Sequence, residues 1–266
     1  ACNPSFGVTI KARQFRAEAR AAKQSEAAER NFRWLRLNQW ISTKAVGWIP
    51  LTIYDKTQWG PSPQGERGAW LDLSTTTDLT ALALLFPPQE GLDTWVALVH
   101  GWRPADTAGE AEVRDHVPYR DWARAGFITL CPGDMVDYTM VESTIQEARA
   151  AFDLKLLGVD PYMSRSLTQR LGEDGLEIVE IPQTMLHMSP PTKELERLIR
   201  GHQMLHVHNT ALRWCFGNVR MAADGNENIK PMKNRSIGRI DMLVAWIIAM
   251  ATATIGQQRP ATLAEA

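Results

Sequence analysis

The sequence predicts a mixed α/β fold: a sheet that starts as an antiparallel meander, continues with parallel strands, and is flanked by helices. Three observations lead there. Short apolar runs at 69–73, 79–86 and 95–100 follow one another across short connections, the signature of a meander. Beyond residue 117 helical and strand-like segments alternate, which favours parallel pairing with helices laid on the sheet. The most apolar stretch, 243–255, is shorter than the ~20 residues a membrane span needs and follows a charged segment, so it reads as a buried helix.

Taken in order, the chain opens on ACNPSFG without a Met, which suggests a piece of a longer protein. Residues 10–36 are rich in Ala, Arg, Lys, Glu and Gln with few breakers, the composition of a helix with a polar, basic surface. Trp34, Leu35, Leu37, Trp40, Ile41, Trp48 and Ile49 follow closely, as a packing cluster would. A helical arm is expected over 1–60, a sheet domain over 61–256 and a tail over 257–266. Residues 60–68, with Pro61 and Pro63, read as a loop. After the meander, 117–125 is helical, 127–130 a short strand, 141–152 helical, 154–159 a buried strand, 164–171 helical and 176–181 a strand. Residues 192–201 are helical, 219–222 and 228–232 pair across Asp224-Gly225-Asn226, and the last helix spans about 240–255.

Composition excludes several classes. The chain has 266 residues, 44% hydrophobic and 22% charged, which fits a soluble domain able to bury a core. A net charge of -1 gives no overall bias toward nucleic acid, but 11–36 and 193–239 are locally basic. Such stretches either meet phosphate or are solvated helix faces. Three cysteines, Cys2, Cys131 and Cys215, without regular spacing argue against a disulfide framework or a zinc site. His202, His206 and His208 have no zinc-ligand spacing. No apolar leader opens the chain, no nucleophile elbow is present, and no phosphate-binding loop of the G-x-x-x-x-G-K-[ST] type occurs, so ATP hydrolysis is not expected of these residues.

Three acids stand out by position. Asp72 lies between Leu71 and Leu73 inside a strand, where a carboxylate is costly unless it is paired, at an edge or bound to metal. Asp160 closes the strand 154–159, and ligands commonly bind at the carboxyl ends of parallel strands. Asp241 opens the last helix. Carboxylates from separate elements meeting at one sheet edge suit Mg²⁺ or Mn²⁺, two of which, about 4 Å apart, catalyse phosphodiester cleavage. The same placements also suit turn residues and helix caps.

At these residues the sequence resembles the nuclease domain of tailed-bacteriophage terminase large subunits. The resemblance runs through the string from Trp70 to Ala81, Gly133-Asp134 with Val136-Asp137-Tyr138, Gly158-Val159-Asp160-Pro161-Tyr162, Lys193-Glu194-Leu195-Glu196, Asn209, Trp214, Asn218, Lys230-Pro231-Met232-Lys233 and Arg239-Ile240-Asp241. Residues 32–40 resemble the segment joining the ATPase and nuclease domains of these proteins. The resemblance implies a ribonuclease H-like fold and a metal-dependent endonuclease that cuts concatemeric viral DNA. It implies Asp72, Asp160 and Asp241 as catalytic, metal-holding acids with two Mg²⁺ or Mn²⁺ ions, and Asp78 and Asp137 as supporting or turn residues. Lys233 and Arg239 are then expected at DNA phosphate. Double-stranded DNA, the small terminase subunit and the portal protein are the implied partners, with no membrane, in the cytoplasm of the infected host. Two other readings stay open: a non-catalytic DNA clamp or portal-docking module, and another ribonuclease H-like enzyme such as a transposase or resolvase.

Overall fold

The computed structural model describes residues 11–21, 32, 36–37, 48–59, 68–74, 79–161 and 165–258, with backbone alone for 14, 21, 68–74, 165, 166 and 258. The chain divides into two units, 1–46 and 47–266. In the first, α1 (Ala12–Ala21) lies within the expected helical arm. Arg36 Nη2 donates to Glu18 Oε1 at 2.8 Å, and Phe15 meets Phe32 edge-on at 5.0 Å. Trp34, Leu35, Trp40 and Ile41 lie outside the described residues, as do 60–67, Asp78 and 259–266.

The second unit is built on a twisted mixed sheet. After a one-turn helix α2 (Leu51–Tyr54) come β1 (Gln58–Trp59), β2 (Gly68–Ser74), β3 (Thr80–Phe86) and β4 (Trp95–Pro104). Then follow α3 (Ala108–Asp115), α4 (Tyr119–Arg124), β5 (Thr129–Cys131), α5 (Tyr138–Ala151), β6 (Asp153–Val159), α6 (Arg165–Glu173) and β7 (Ile178–Glu180). The chain continues through α7 (Met185–Arg200), β8 (Met204–Val207), α8 (Thr210–Asn218), the hairpin β9 (Met221–Ala223) and β10 (Ile229–Pro231), and ends on α9 (Asp241–Gln258). Strand order is β1-β8-β4-β3-β2-β6-β7, with β5 on β4. The three apolar runs of the first half are β2, β3 and β4, paired antiparallel in succession. β6 pairs parallel with β2, β7 with β6, and β8 with β4. β4 is long enough to hold two neighbours on one edge: Trp95–Ala97 pairs with β8 and Trp102–Pro104 with β5.

Alternation along the strands sorts side chains to two faces. Ala81, Ala83 and Leu85 of β3 face α9, while Leu82 joins Leu157, Val159, Val141, Ile145, Leu167 and Leu171 beneath α5 and α6. The apolar stretch read as a buried helix is α9. It packs on β2, β3 and β6 and is covered in turn by α7 and α8, which explains its lack of a polar face. It runs to Gln258, slightly beyond the expected end.

The structure corrects several boundaries. Residues 48–59, expected within the 1–60 arm, belong to the sheet unit. Trp48, Ile49 and Tyr54 are buried in its core, β1 pairs with β8, Trp48 Nε1 donates to Glu196 Oε2 at 2.8 Å, and Arg213 forks onto Asp55 at 2.6 and 2.8 Å. The packing of an aromatic cluster thus overrode the run of helix formers before it. The helix expected at 192–201 starts at Met185 and takes in Pro190 and Pro191, because Thr184 caps it early and Met188 and Pro191 sit on its buried face. α3 was not expected: only Ala108 and Ala111 of its residues are buried, too weak a periodic signal to read.

Candidate functional site

The three acids are best located by register. The backbone of Asp72 pairs with Ala83 on one side and Gly158 on the other. Paired residues project to the same face of a sheet, and Ala83 is part of the core beneath α9. Position 72 therefore lies on the α9 face; its side chain is outside the described residues. Gly158 is on that face too. A Cβ there would run into Thr252 Oγ1 of α9 and come within 3.4 Å of Ile248 Cγ2, so glycine is what lets the helix settle on β6.

Asp160 lies two residues beyond Gly158, just past the end of β6. Its Oδ2 accepts from Gln183 Nε2, and the carbonyl of Gln183 accepts from Lys230 Nζ at 2.8 Å. A lysine of β10 thus steadies the residue that holds Asp160. Sequence reasoning missed Gln183, which sits in a plain Ile-Pro-Gln loop with no motif to mark it.

Asp241 is the first residue of α9, and its side chain is 3% exposed. Lys233 Nζ approaches Oδ1 to 2.8 Å. That contact is an ion pair without hydrogen-bond alignment, so Oδ1 is buried with no hydrogen bond. Met242, the next residue, sits against Gly101 of β4. Gly101 pairs with Ala81, and Ala81 with Ser74, so α9 begins over the end of the sheet where β2 and β6 finish. Asp72, Asp160 and Asp241 thus come from three elements at one end of the sheet. Among the described residues no three His, Cys, Asp or Glu side chains form a group that could hold a metal.

The segment before α9 is held from below. Asn218 Nδ2 donates to the Arg239 carbonyl at 3.2 Å, the Ile237 amide donates to the Asn218 carbonyl at 3.2 Å, and Ser236 Oγ accepts from the Arg220 amide at 3.1 Å. A Cβ at Gly238 would lie 2.7 Å from Asn218 Nδ2 and 3.1 Å from Trp214, so this chain passes too close for a side chain. Asn209 caps α8 through the Leu212 amide and donates to the carbonyls of Val99 and Phe127 at 3.1 and 2.9 Å, tying that helix to β4. A cavity of about 300 Å³ opens beside Asp241, lined by Arg114, Asp115, Lys233, Ser236, Gly238, Arg239 and Ile240. It brings Lys233 and Arg239 together with Asp241 and does not reach Asp160.

Asp137 acts locally. Its carboxylate accepts from the Thr139 amide and hydroxyl at 2.8 and 2.6 Å, and these bonds at the start of α5 hold its pKa below the usual carboxylate value. Buried His206 stacks on Tyr54 with ring centroids 4.2 Å apart. No helix among the described residues is long and apolar enough to cross a membrane.

The comparisons agree with this architecture. The family model described as the terminase large subunit endonuclease domain matches residues 1–257. The chain is 31% identical over 264 residues to the terminase large subunit of Enterobacteria phage HK97, covering 95% of this chain and 50% of that protein. It is 27% identical to protein YmfN of Escherichia coli K12, covering 95% of this chain and 58% of that protein. The crystal structure of the HK97 large terminase superposes with a TM-score of 0.70 at 27% identity, over 94% of this chain and 52% of that one. The chain therefore spans about half the length of the curated relatives it matches. The fold is ribonuclease H-like, and the chain belongs to the family of terminase large subunit endonuclease domains.

Proposed function

We propose that this chain is a divalent-metal-dependent endodeoxyribonuclease that hydrolyses phosphodiester bonds of concatemeric phage DNA, with Asp72, Asp160 and Asp241 holding two Mg²⁺ or Mn²⁺ ions. The observation that carries the reading is the buried, hydrogen-bond-free Oδ1 of Asp241, beside an ammonium, at the sheet end where β2 and β6 finish. A buried carboxylate oxygen against a cation is the donor a hard divalent ion takes. When bound, such ions activate water and stabilise the leaving oxygen.

The protein's own residues do the rest. Gln183 orients Asp160, with Lys230 fixing its backbone. Gly158 allows α9 to bring Asp241 down onto the strands. Lys233 and Arg239 hold backbone phosphate near Asp241, where a salt-dependent share of DNA affinity arises. Recognition of the cut site is assigned to partners. The small terminase subunit and the portal protein are the proposed partners, and the infected host's cytoplasm the place of action. Asp78 is proposed as a supporting residue.

A supercoiled-plasmid assay tests this. Nicking that needs Mg²⁺ or Mn²⁺ and stops with chelator is expected. A chain that shifts DNA mobility but never cuts it under any divalent metal is a clamp, and the reading fails.

A further inference from the structure

Val113, Met135, Leu186 and Ile237 stand in solvent, each at least 72% exposed. Isolated apolar residues on a surface are ordinary, but these share one end of the sheet. β2 and β4 each pair antiparallel with β3, β5 pairs parallel with β4, β6 with β2 and β7 with β6. The carboxyl ends of β2, β4, β5, β6 and β7 therefore lie together. Val113 is on α3, which follows β4; Met135 is in the loop after β5; Leu186 is in the first turn of α7, after β7. Ile237 belongs to the segment leading into α9, which begins over the same end.

Two of these residues adjoin the acids. Leu186 is three residues beyond Gln183, whose amide donates to Asp160. Thr184 caps α7 and Met188 is buried, so the helix is seated by its other face and Leu186 is turned to solvent. Ile237 is four residues before Asp241, between Ser236 and Gly238, which line the cavity beside that acid. Its neighbours hold it outward. Ser236 Oγ donates to the Met232 carbonyl at 2.8 Å, and Gly238 passes where a Cβ would meet Asn218 and Trp214. The Ile237 amide itself donates to the Asn218 carbonyl at 3.2 Å. Its backbone is thus anchored while its aliphatic side chain is left in water. A protein seated over this end would cover the acids, whereas a duplex has to lie there to be cut. The walls of the minor groove are deoxyribose carbons, and Leu and Ile are among the wedges that enter between base steps there.

We propose that Leu186 and Ile237 are apolar DNA contacts, one beside Asp160 and one beside Asp241, that press into the minor groove and bend the duplex at the bond to be cut. The inference rests on the DNA-cutting reading for its ligand. Bending costs least at pyrimidine–purine steps and more in stiff A-tracts, so these contacts add a preference for deformable steps within the site that partners select.

The test compares wild type with Leu186→Ser and Ile237→Ser and with the apolar exchanges Leu186→Met and Ile237→Val. All should melt like wild type, because the side chains are exposed. Affinity is measured in chelator, across a salt series, for a short duplex carrying a fluorescent adenine analogue at a central TA step. Nicks made in a plasmid with Mn²⁺ are mapped alongside. The Ser variants should bind several-fold more weakly with an unchanged slope of log affinity against log salt, because no phosphate contact is lost. They should also lose the fluorescence rise that reports unstacking, and spread their nicks evenly between TA or CA steps and A-tracts. The apolar exchanges should keep all three properties. Wild-type nicking, with Ser variants equal to it in affinity and nick distribution, overturns the apolar contacts alone and leaves the cutting reading in place. DNA affinity that needs Leu186 and Ile237, without nicking in any divalent metal, supports the contacts and sinks the cutting reading. Ser variants that lose only self-association by light scattering, with DNA affinity intact, make this end a protein surface and overturn the proposal.

Discussion

Lys233 Nζ lies 2.8 Å from Oδ1 of Asp241, a carboxylate whose side chain is 3% exposed. The ammonium occupies the kind of position a divalent cation takes, and the Lys233 side chain is 40% exposed. Two consequences follow for Lys233→Gln. Without metal, an uncompensated buried charge remains, and melting should reveal a loss of about 1 to 3 kcal/mol, less than the roughly 3–5 of a fully buried pair because the lysine is partly solvated. With the competing cation gone, Mn²⁺ should bind several-fold more tightly by calorimetry and restore the melting temperature. Unchanged metal affinity would show that the ammonium does not occupy the metal position.

Gln183 offers a test of Asp160 that leaves the acid in place. Gln183→Leu removes the amide that donates to Oδ2 while Lys230 can still hold the backbone carbonyl. Cleavage is expected to drop about tenfold, equivalent to about 1.4 kcal/mol of barrier, with melting little changed. Wild-type turnover in this variant would remove Gln183 from the site.

Gly158→Ala probes the contact between β6 and α9. The added methyl meets Thr252 Oγ1, which itself donates to the Ile248 carbonyl at 2.9 Å. Overpacking should cost about 1 to 3 kcal/mol and reduce nicking, since α9 carries Asp241. The double variant Gly158→Ala with Thr252→Ala should recover part of both losses; an additive result would mean that the two positions do not press on one another.

Stability should fall as pH drops below about 6.5. Burial lowers the pKa of both His100 and His206 in the folded state, so the unfolded chain takes up protons first. The stability is whole above the unfolded value and is lost as pH falls from there toward the folded values. The lowered carboxyls of Asp55 and Asp115 act only below about 3.8, which separates the two windows. Melting temperatures between about pH 7.5 and 4.5 should decline, and less steeply in His100→Gln, whose amide can keep the Thr129 bond. A flat profile in the wild type would contradict this.

Much of the fold was legible because its strongest signals were hydrophobic ones. The runs that became β2, β3 and β4, the buried strand β6 and the all-apolar α9 each had a period or a length that admitted one reading. The element ends at Asp160 and Asp241 were legible because a buried apolar strand stops and an apolar helix starts there. What escaped had other causes. α2 and β1 are too short to show a period and exist because Trp48, Tyr54 and Asp55 find partners far along the chain. Gln183 acts through its contact with Asp160 from another segment, and it sits in no distinctive local string. Asn209 and Asn218 were visible only as members of a familiar pattern; their carbonyl partners Val99, Phe127 and Arg239 come from the fold.

The most direct test of the metal-holding acids is a matched pair of assays on Asp160→Asn, thermal melting and plasmid nicking in Mn²⁺. Asn keeps the size and one acceptor oxygen but removes the charge that holds a divalent ion, an effect worth several kcal/mol of barrier. The variant is expected to melt like the wild type or slightly higher, to bind DNA with the same salt dependence, and to nick no longer. Undiminished nicking by the folded variant would take Asp160 out of the active site, and loss of folding would make the acid structural; either contradicts a metal-dependent nuclease centred on Asp160.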